Sequence, residues 1–249
     1  IFKINIVHAR SRAPAWSCYL ASLITRRIFV TTFHGTYNFK NRFKKFYNSV
    51  MVKSKLTIAG SNFIFDHINE NYEKYLKHKN KLLVIFRGIN LNYFDPKNIS
   101  DIKLLKLKKE WSIKEDNFKI LLPGRLTNWK GHLNFIEALN ILIEDYKNDK
   151  FQAIVLGSDQ GRNVYKKKLQ SLIDRYNINK KITFIEHCKE MPLAYALADI
   201  VVSSSIEPEA FGRVAVEAQA MQKPIIATKL GGSIETIINN KTGILYKFD

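Results

Sequence analysis

Short apolar segments alternate along this chain with longer stretches in which apolar residues recur every three or four positions. Short apolar runs predict buried strands, and the longer periodic stretches predict amphipathic helices. The predicted strands cover residues 3–7, 28–32, 55–59, 82–86, 119–122, 153–156, 182–185, 200–203, 225–228 and 243–245. Strands that alternate with helices are typical of doubly wound parallel sheets, so we expect an α/β fold.

The alternation is interrupted over residues 91–116, where a turn-rich segment precedes a basic helix predicted over 102–111. A chain of 249 residues is long enough for two domains. We therefore predict a first domain over residues 1–95, an interdomain hinge over 96–115, and a second domain over 116–249.

A turn bracketed by two glycines, Gly124-Arg-Leu-Thr-Asn-Trp-Lys-Gly131, connects a predicted strand to a predicted helix. The N-terminus of a helix presents backbone N–H groups at its positive end, where anions bind. Arg125 and Lys130 add two positive charges at the edges of this turn. Because charge-assisted hydrogen bonds contribute roughly 1.5–3 kcal/mol each, the turn is a candidate site for a diphosphate. The alternative is a solvated surface turn that happens to contain two basic residues.

Two carboxylates stand eight positions apart in the segment Glu209-Ala-Phe-Gly-Arg-Val-Ala-Val-Glu217. The segment follows a predicted strand, so we expect Glu209 on a loop and Glu217 in the helix after it. Eight helical residues span roughly 12 Å, which is too far for a close carboxylate pair. An ionised carboxylate accepts hydrogen bonds from adjacent hydroxyls, so the two residues suit the two ends of one sugar-containing ligand. The alternative is that both are ordinary exposed acids.

The basic charge of the chain is unevenly distributed. The net charge is +18, but residues 1–110 hold 21 basic and 6 acidic residues, whereas residues 111–249 hold 19 and 16. Anionic lipids attract basic residues near a bilayer by about 1 kcal/mol each. A basic–aromatic patch is therefore a candidate membrane contact: Arg26, Arg27, Lys40, Arg42, Lys44 and Lys45 with Phe39, Phe43, Phe46 and Tyr47. Codon bias in an AT-rich genome is the alternative source of the high lysine content.

Several classes of site are disfavoured by the composition. Cys18 and Cys188 lie far apart, which argues against a disulfide framework or a zinc ribbon and fits a reducing compartment. No apolar run approaches the roughly 20 residues of a membrane-spanning helix. The chain contains no D-x-D pair, so no divalent metal is expected, and no recognised nucleic-acid motif accompanies the charge.

In order and spacing, these motifs resemble those of the family 4 retaining glycosyltransferases, which have the GT-B architecture of two Rossmann-like domains. The resemblance covers nearly the whole chain and is closest to bacterial members that build lipopolysaccharide or other envelope glycans. Each motif is weak alone, and their combination is specific. The matching segments are Thr31-Thr-Phe-His-Gly35, Arg87-Gly-Ile-Asn90, Gly124-Arg-Leu with Lys130-Gly131, Glu209 to Glu217 with Phe211-Gly212, and Lys223-Pro-Ile-Ile-Ala-Thr-Lys-Leu-Gly-Gly232 followed by Glu235 and Thr242-Gly243.

The resemblance implies two doubly wound parallel-sheet domains, an acceptor-side N-domain and a nucleotide-sugar-binding C-domain. Both are expected to be incomplete, because the chain enters and leaves the pattern within a domain. It also implies roles for individual residues. Arg125 and Lys130, with Gly124, would bind the donor diphosphate, and Glu217, with Val214, would bind the nucleoside. Glu209 and the backbone of Ala210, Phe211 and Gly212 would hold the transferred sugar, and His34 would approach it from the N-domain. Arg213 departs from the apolar residue usual at its position, and could reach a further phosphate or an anionic sugar.

We therefore expect a cytoplasmic hexosyltransferase at the inner face of the cytoplasmic membrane. It would use a UDP- or GDP-linked sugar without a cofactor or metal, and act with retention on a glycan or glycolipid acceptor. A sugar-nucleotide epimerase of the same architecture, a basic nucleic-acid-binding protein and an inactive sugar-binding remnant are the alternatives. The sugar, base, linkage and acceptor do not follow from the sequence.

Overall fold

The computed structural model describes residues 3–37, 41–76, 81–161 and 163–248. The chain divides into two compact units. Unit 1 comprises Ile1–Gly88 with Glu209–Phe211, and unit 2 comprises Ile89–Pro208 with Gly212–Asp249. Each unit is built on its own parallel sheet, flanked by helices, which confirms the expected α/β fold class.

Unit 1 contains a sheet with the strand order β1-β2-β3-β4, in which every described pair is parallel. The strands are β1 (Ile6–Ala9), β2 (Ile28–Phe33), β3 (Leu56–Ala59) and β4 (Leu82–Val84), and the helices are α1 (Arg12–Thr25), α2 (Arg42–Asn48) and α3 (Asn62–Tyr72). The first strand begins three residues later than predicted. The reason is its register, because β1 pairs Ile6 with Ile28, the first residue of β2.

Local signals fix where α2 and α3 of unit 1 begin. The side chain of Asn41 accepts a hydrogen bond from the backbone N–H of Lys44 and so caps α2. Ser61 caps α3 in the same way through Ile64. Such caps satisfy backbone donors that the first turn of a helix leaves unpaired, and each is worth about 1 kcal/mol.

Helices α1 and α3 share one hydrophobic core with the sheet of unit 1. Phe29 and Phe33 of β2 are buried in this core together with Ile64 and Ile68 of α3. Side chains alternate between the two faces of a strand, so neighbouring positions face away from this core. On that opposite face Ile6, Ile28 and Leu83 are 57%, 40% and 48% exposed.

Unit 2 contains a parallel sheet with the order β10-β9-β8-β5-β6-β7 among its described strands. The strands are β5 (Phe118–Pro123), β6 (Phe151–Leu156), β7 (Ile182–Ile185), β8 (Ile200–Ser203), β9 (Ile225–Thr228) and β10 (Ile244–Tyr246). The helices are α4 (Asp101–Glu110), α5 (His132–Glu144), α6 (Asn163–Arg175), α7 (Met191–Leu197), α8 (Arg213–Ala220) and α9 (Ser233–Thr236). The strands predicted in this part of the chain are confirmed.

Helices cover both faces of this second sheet. Ile120 and Leu122 of β5 face a cluster that contains α5 and α6, whereas Leu121 faces a cluster that contains α7 and α8. A strand buried on both faces is mostly apolar, which is why residues 120–123 of β5 and 153–156 of β6 are runs of four apolar residues. Burial of one such Leu or Ile side chain contributes about 1.5–3 kcal/mol to folding.

The residues predicted as a hinge, 96–115, pack as part of unit 2. Helix α4 directs Leu104 and Leu107 toward the cluster of α7 and α8, and Trp111 at its end is buried there. Ser100 caps this helix by accepting from the N–H of Lys103. The function of this segment as a hinge stays a prediction.

The predicted basic–aromatic patch lies partly on α2. Phe43, Phe46 and Tyr47 are 77%, 49% and 37% exposed. Phe39 and Lys40 fall outside the described residues. In the part of the chain that the structure describes, no helix has both the length and the apolar character needed to cross a bilayer.

Candidate active site

The sheet of unit 2 reverses its direction of winding between β5 and β8. The chain passes from β5 through β6 and β7 on one side, and continues with β8, β9 and β10 on the other. Doubly wound proteins bind ligands at the carboxyl ends of the strands at such a reversal. The turn over residues 124–131 follows β5, and the loop that begins at Ile206 follows β8. Two motifs from distant parts of the sequence therefore start from neighbouring strand ends.

The turn after β5 is compact and internally bonded. Its residues Asn128–Lys130 form a single 3₁₀ turn before α5 begins at His132. The backbone N–H groups of Gly124 and Leu126 donate to the carbonyls of Leu156 and Ser158 after β6. Several N–H groups of the turn thus already have acceptors, so the candidate groups for binding an anion are the first turn of α5 and the basic side chains.

The two basic side chains of the turn differ in their surroundings. Arg125 is exposed, whereas Lys130 is half-buried and its methylene groups cover Gly124. The Lys130 ammonium lies 4.4 Å from the centre of the Trp129 ring, a distance at which a cation–π contact is favourable. Lys130 therefore has a defined position beside the turn, whereas Arg125 is exposed to solvent.

Residues at the end of β8 hold the turn in place. The N–H of Ile206 donates to the carbonyl of Trp129 at 2.8 Å, and the Ser204 hydroxyl donates to the carbonyl of Lys130 at 2.9 Å. Gly131 has a φ of 69°, and a Cβ at this position would lie 1.8 Å from the carbonyl oxygen of Ser204. Only glycine fits there, so the second glycine of the motif is needed for close contact between the turn and β8.

Helix α8 carries the second carboxylate of the predicted pair. Gly212 precedes the helix with a φ of 80°, and Val214 is half-buried against the core, so the expected loop-to-helix boundary is confirmed. Glu217 is buried, and both of its oxygens have partners. Oε2 accepts from the Tyr195 hydroxyl at 2.8 Å, and Oε1 accepts from Nη2 and Nε of Arg213 at 2.6 and 3.1 Å.

This arrangement changes the expectation for Arg213. Its guanidinium pairs with Glu217 one turn along the same helix instead of reaching outward. Two donors of Arg213 converge on Oε1, and the positive charge balances a buried carboxylate that would be costly without a cation beside it. A ligand hydroxyl that used Oε1 of Glu217 would share it with Arg213 or displace that side chain, which is itself mostly exposed.

The other predicted residues belong to unit 1. The segment Glu209–Phe211 is assigned there, where the carbonyl of Ala210 accepts a hydrogen bond from the Ser61 hydroxyl. Glu209 is half-buried and Phe211 is buried. Glu209 therefore lies outside helix α8, as the spacing predicted.

His34 follows β2 directly and is half-buried between two arginines. Nε of Arg10 lies 3.1 Å from its Nε2, and the guanidinium of Arg87 makes a very short contact with its Nδ1. Burial, and then the positive charges of Arg87 and Arg10, lower the pKa of His34 to about 4. The imidazole is therefore neutral at physiological pH, although its motif does not reveal these neighbours.

Sequence reasoning missed several residues that shape these sites. Tyr195, Ser204 and Arg10 were not singled out, and Arg87 was noted only as part of a longer segment. Their positions at or near strand and helix ends were the available signal, since parallel strands bring such ends to one edge of a sheet. Within the described ranges, no group of three His, Cys, Asp or Glu side chains is arranged to hold a metal ion.

Comparison with known proteins assigns both parts of the chain. Residues 105–249 match the family model described as glycosyl transferases group 1, and residues 1–93 match that of glycosyltransferase family 4. Among curated proteins, a D-inositol 3-phosphate glycosyltransferase of Corynebacterium urealyticum is 28% identical over 176 residues, which is 70% of this chain and 41% of the relative. The spore coat protein SA of Bacillus subtilis is 25% identical over 99% of this chain and 66% of its own length.

Solved structures agree with this assignment. A glycosyltransferase from Rickettsia africae superposes with a TM-score of 0.84 at 43% identity, over 98% of this chain and 62% of that chain. Anabaena Alr3699/HepE, solved with UDP and glucose, has a TM-score of 0.84 at 24% identity, over 98% and 64% of the two chains. The chain spans about two fifths of the length of the first curated relatives, at 41%, 37% and 39%.

The family model for glycosyl transferases group 1 covers more than half of the chain. The fold has two parallel sheets, and in the second sheet the glycine-bracketed and acidic motifs follow neighbouring strands. The chain belongs to the group 1 glycosyltransferase family and has the fold of GT-B glycosyltransferases.

Proposed function

We propose that this chain provides the donor- and acceptor-binding regions of a retaining glycosyltransferase. The reaction moves a hexose-type sugar from a UDP- or GDP-linked donor to a glycan or glycolipid of the cell envelope. One observation carries the proposal: the turn with Arg125 and Lys130 and the helix with Glu217 start from the adjacent strands β5 and β8, at the reversal point of the sheet. Nucleotide ligands bind at this position in doubly wound folds.

The proposed roles follow from the charges at this position. Arg125, Lys130 and the N-terminus of α5 bind the diphosphate, and they stabilise the negative charge that develops on it as the sugar leaves. Glu217 accepts hydrogen bonds from the ribose hydroxyls, with Val214 beside the nucleoside. Glu209 and the backbone of Ala210, Phe211 and Gly212 bind the transferred sugar.

The chemistry is a substitution at the anomeric carbon. The bond from this carbon to the β-phosphate oxygen breaks and its electron pair stays with the nucleotide. The acceptor hydroxyl forms the new glycosidic bond on the same face and gives its proton to the departing phosphate. We assign no covalent protein nucleophile. His34, neutral because of burial and its two arginines, would approach the reacting groups as an uncharged hydrogen-bonding partner.

The known proteins support a nucleotide-sugar donor and an envelope product. Anabaena Alr3699/HepE has been solved with UDP and with UDP-glucose. A relative from Staphylococcus aureus, which is 28% identical over 68% of this chain, is the capsular polysaccharide biosynthesis glycosyltransferase CapM.

We propose that the enzyme acts without a divalent metal, because two cationic side chains flank the proposed diphosphate position. We further place it at the cytoplasmic face of the membrane, where envelope glycolipids are assembled from nucleotide sugars.

The first test is calorimetric titration of the chain with UDP, GDP and ADP in the presence of EDTA. We expect one nucleotide to bind with micromolar affinity, and Arg125→Ala to weaken that binding about tenfold or more, as expected for a lost charge-assisted hydrogen bond. Arg175→Ala is the matched control, because Arg175 is exposed at the end of α6 in the same unit. Equal affinities in the two variants would reject the assignment.

A second arm separates the alternatives by their products. The chain is incubated with the nucleotide-sugar alone. An epimerase converts this donor to its epimer, whereas a transferase does not transfer the sugar until an acceptor is added. Binding of nucleic acid with a steep salt dependence, together with no nucleotide binding at all, would instead favour a basic nucleic-acid-binding protein.

A further inference from the structure

Glu217 is a buried acceptor whose partner on the outer side is exposed. The side chain of Glu217 is 9% exposed, whereas that of Arg213, one helical turn earlier in α8, is 67% exposed. On the inner side, the hydroxyl of the buried Tyr195 donates to Oε2 of Glu217 at 2.8 Å. The guanidinium of Arg213 therefore forms the solvent-facing side of this ion pair.

The acceptor capacity of Oε1 is already used by Arg213. Each oxygen of an ionised carboxylate has about two lone-pair sites. Nη2 and Nε of Arg213 both point to Oε1 of Glu217, at 2.6 and 3.1 Å. A ribose hydroxyl that donates to Oε1 must therefore displace at least one of these two donors. The ion pair and a bound nucleoside compete for the same atom.

The position of Arg213 in its helix is not explained by helix stability. Arg213 is the first residue of α8, and the first turn of this helix contains no acidic residue. The positive end of the helix dipole opposes a cation there, and a pair spaced four residues apart is weaker when the basic residue comes first. An anion bound near the start of α8 would account for an arginine at this position.

The start of α8 lies at the same edge of the sheet as the candidate diphosphate turn. Strands β5 and β8 are parallel neighbours, and the turn with Arg125 and Lys130 and helix α8 follow their carboxyl ends. Glu217 lies roughly 6 Å farther along the helix than Arg213. A guanidinium that leaves Glu217 and turns back toward the start of its helix therefore moves toward the edge that carries the turn.

We propose that Arg213 selects nucleoside diphosphates over nucleosides by exchanging partners. Without a ligand, its guanidinium pairs with Glu217. When the donor binds, the ribose hydroxyls take over Oε1 of Glu217, and the released guanidinium donates to the diphosphate, whose oxygens match the paired donors of arginine. This inference rests on the proposed function, because it requires a ligand that contains both a ribose and a diphosphate.

The exchange gives the two kinds of ligand opposite dependences on Arg213. A nucleoside displaces the guanidinium and offers it no new acceptor, so the broken ion pair reduces the affinity for a nucleoside. A nucleoside diphosphate supplies that acceptor. Loss of the Arg213 charge should therefore strengthen the binding of a nucleoside and weaken the binding of its diphosphate, whereas general damage to the site would weaken both.

The test is calorimetric titration of the full 249-residue chain and of Arg213→Gln. UDP and GDP are titrated directly, and uridine and guanosine are measured by competition with the corresponding diphosphate. We expect Arg213→Gln to weaken binding of the diphosphate about tenfold or more, as for a lost charge-assisted hydrogen bond. Nucleoside binding should become about two- to tenfold stronger, the range between an exposed helical ion pair and a charge-assisted hydrogen bond.

Arg175→Gln is the control for the loss of one positive charge. Arg175 is exposed in the last turn of α6 in the same unit, and its replacement should leave both affinities within about twofold. Arg213→Lys keeps the charge but not the two converging donors, so it should lose less affinity for the diphosphate than Arg213→Gln. Thermal melts verify that all variants remain folded.

Two results would overturn the proposal. One is a change in the same direction of the affinities for nucleoside and diphosphate in Arg213→Gln, and the other is no difference between Arg213→Gln and Arg175→Gln. If diphosphate binding still depends on Arg125 in either case, the proposed function stands and only the exchange of partners is rejected. If the unmodified chain binds neither UDP nor GDP, the proposed function and the exchange are both rejected.

Discussion

His34 of unit 1 and His132 of unit 2 both have a pKa lowered to about 4, for different reasons. His34 is only half-buried, and the two arginines beside it add to the effect of burial. His132, the first residue of α5, is completely buried beneath the turn that carries Arg125, and burial lowers its pKa to about 4. Hydrogen bonding to the nearby backbone carbonyls of Thr127 and Gly124 raises the pKa of His132, but this effect is smaller than that of burial.

His132 is also poorly satisfied by its neighbours. Among the described residues, neither of its ring nitrogens makes a hydrogen bond of good geometry, and the hydroxyl of Tyr165 next to it is in the same situation. Protonation would place a charge in this buried space, and such a charge costs several kcal/mol. The consequence is a dependence of stability on pH that originates directly below the candidate diphosphate site.

We predict that unit 2 loses stability as the pH falls from 6.5 to 4. His132 has a lower pKa in the folded than in the unfolded chain, so its contribution is fully present above pH 6.5 and is lost as the pH approaches 4. The loss amounts to at most about 1.4 kcal/mol per pH unit, on the order of 3 kcal/mol in total. Urea unfolding followed by tryptophan fluorescence at several pH values measures it.

The comparison variant is His132→Leu, which has a similar volume and no titratable group. Its stability should be flatter over the same pH interval, and the difference between the two chains isolates His132 from other groups that titrate there. Parallel pH dependences of the two proteins would contradict the prediction.

At the scale of elements, the turn between β5 and α5 depends on one close contact. Gly131 combines a left-handed backbone with an approach to Ser204 that leaves no room for a side chain. The turn is thereby fixed to the end of β8, and the hydrogen bonds from Ile206 and Ser204 reinforce it. A site assembled from two strand ends requires such a connection, because each loop alone would be mobile.

Gly131→Ala should be more destabilising than Gly161→Ala. Both glycines have similar left-handed φ values, 69° and 76°, but a Cβ at Gly161 would meet nothing within 4 Å. The control variant thus carries the backbone strain alone, about 1–2 kcal/mol, whereas Gly131→Ala adds steric overlap worth about 1–3 kcal/mol. Chemical unfolding of both proteins measures the difference, and nucleotide titration should detect weaker binding in Gly131→Ala only. Equal unfolding free energies of the two variants would indicate that the turn shifts away from Ser204 without loss of stability, and would contradict the prediction.

At the scale of the whole molecule, charge and exposed aromatic residues concentrate in the same part of the chain. Residues 1–110 carry a net charge of +15. On α2, Phe43 is largely exposed, while the Phe46 ring lies 5.8 Å from that of Trp16 on α1. An exposed aromatic side chain beside lysines suits a bilayer interface, where the ring enters the headgroup region and the ammonium groups contact anionic lipids.

We predict that the chain sediments with vesicles containing phosphatidylglycerol but not with phosphatidylcholine alone, and that 0.5 M salt reverses the binding. Phe43→Ser combined with Lys44→Gln should weaken binding about tenfold, since it removes one charge and one apolar group. Val164→Ser with Lys167→Gln likewise removes one apolar side chain and one charge, on α6 in unit 2, where both residues are exposed. Equal losses in the two double variants would show that total charge, and not the patch, determines binding.

The sequence by itself determined the elements and their order. Strands buried on both faces, such as β5 and β6, contain runs of four consecutive apolar residues, and the helices between them repeat at 3.6 residues, so local patterns suffice to find them. The start of β1 was misplaced by three residues because pairing with β2, and not local hydrophobicity, decides where it begins. The ordered motifs also indicated the family, since spacing along the chain is a one-dimensional property.

Only the tertiary structure decided which side chains meet. Glu217 accepts hydrogen bonds from Tyr195, 22 positions away, and from Arg213, one helical turn away. Both of its carboxylate oxygens therefore have partners in the absence of a ligand. Arg10 and Arg87 reach His34 across 24 and 53 positions. Such contacts depend on the order of strands in the sheet and on which ends share an edge. Because burial and hydrogen bonding act over a few ångströms of space and not along the sequence, no local pattern contains them.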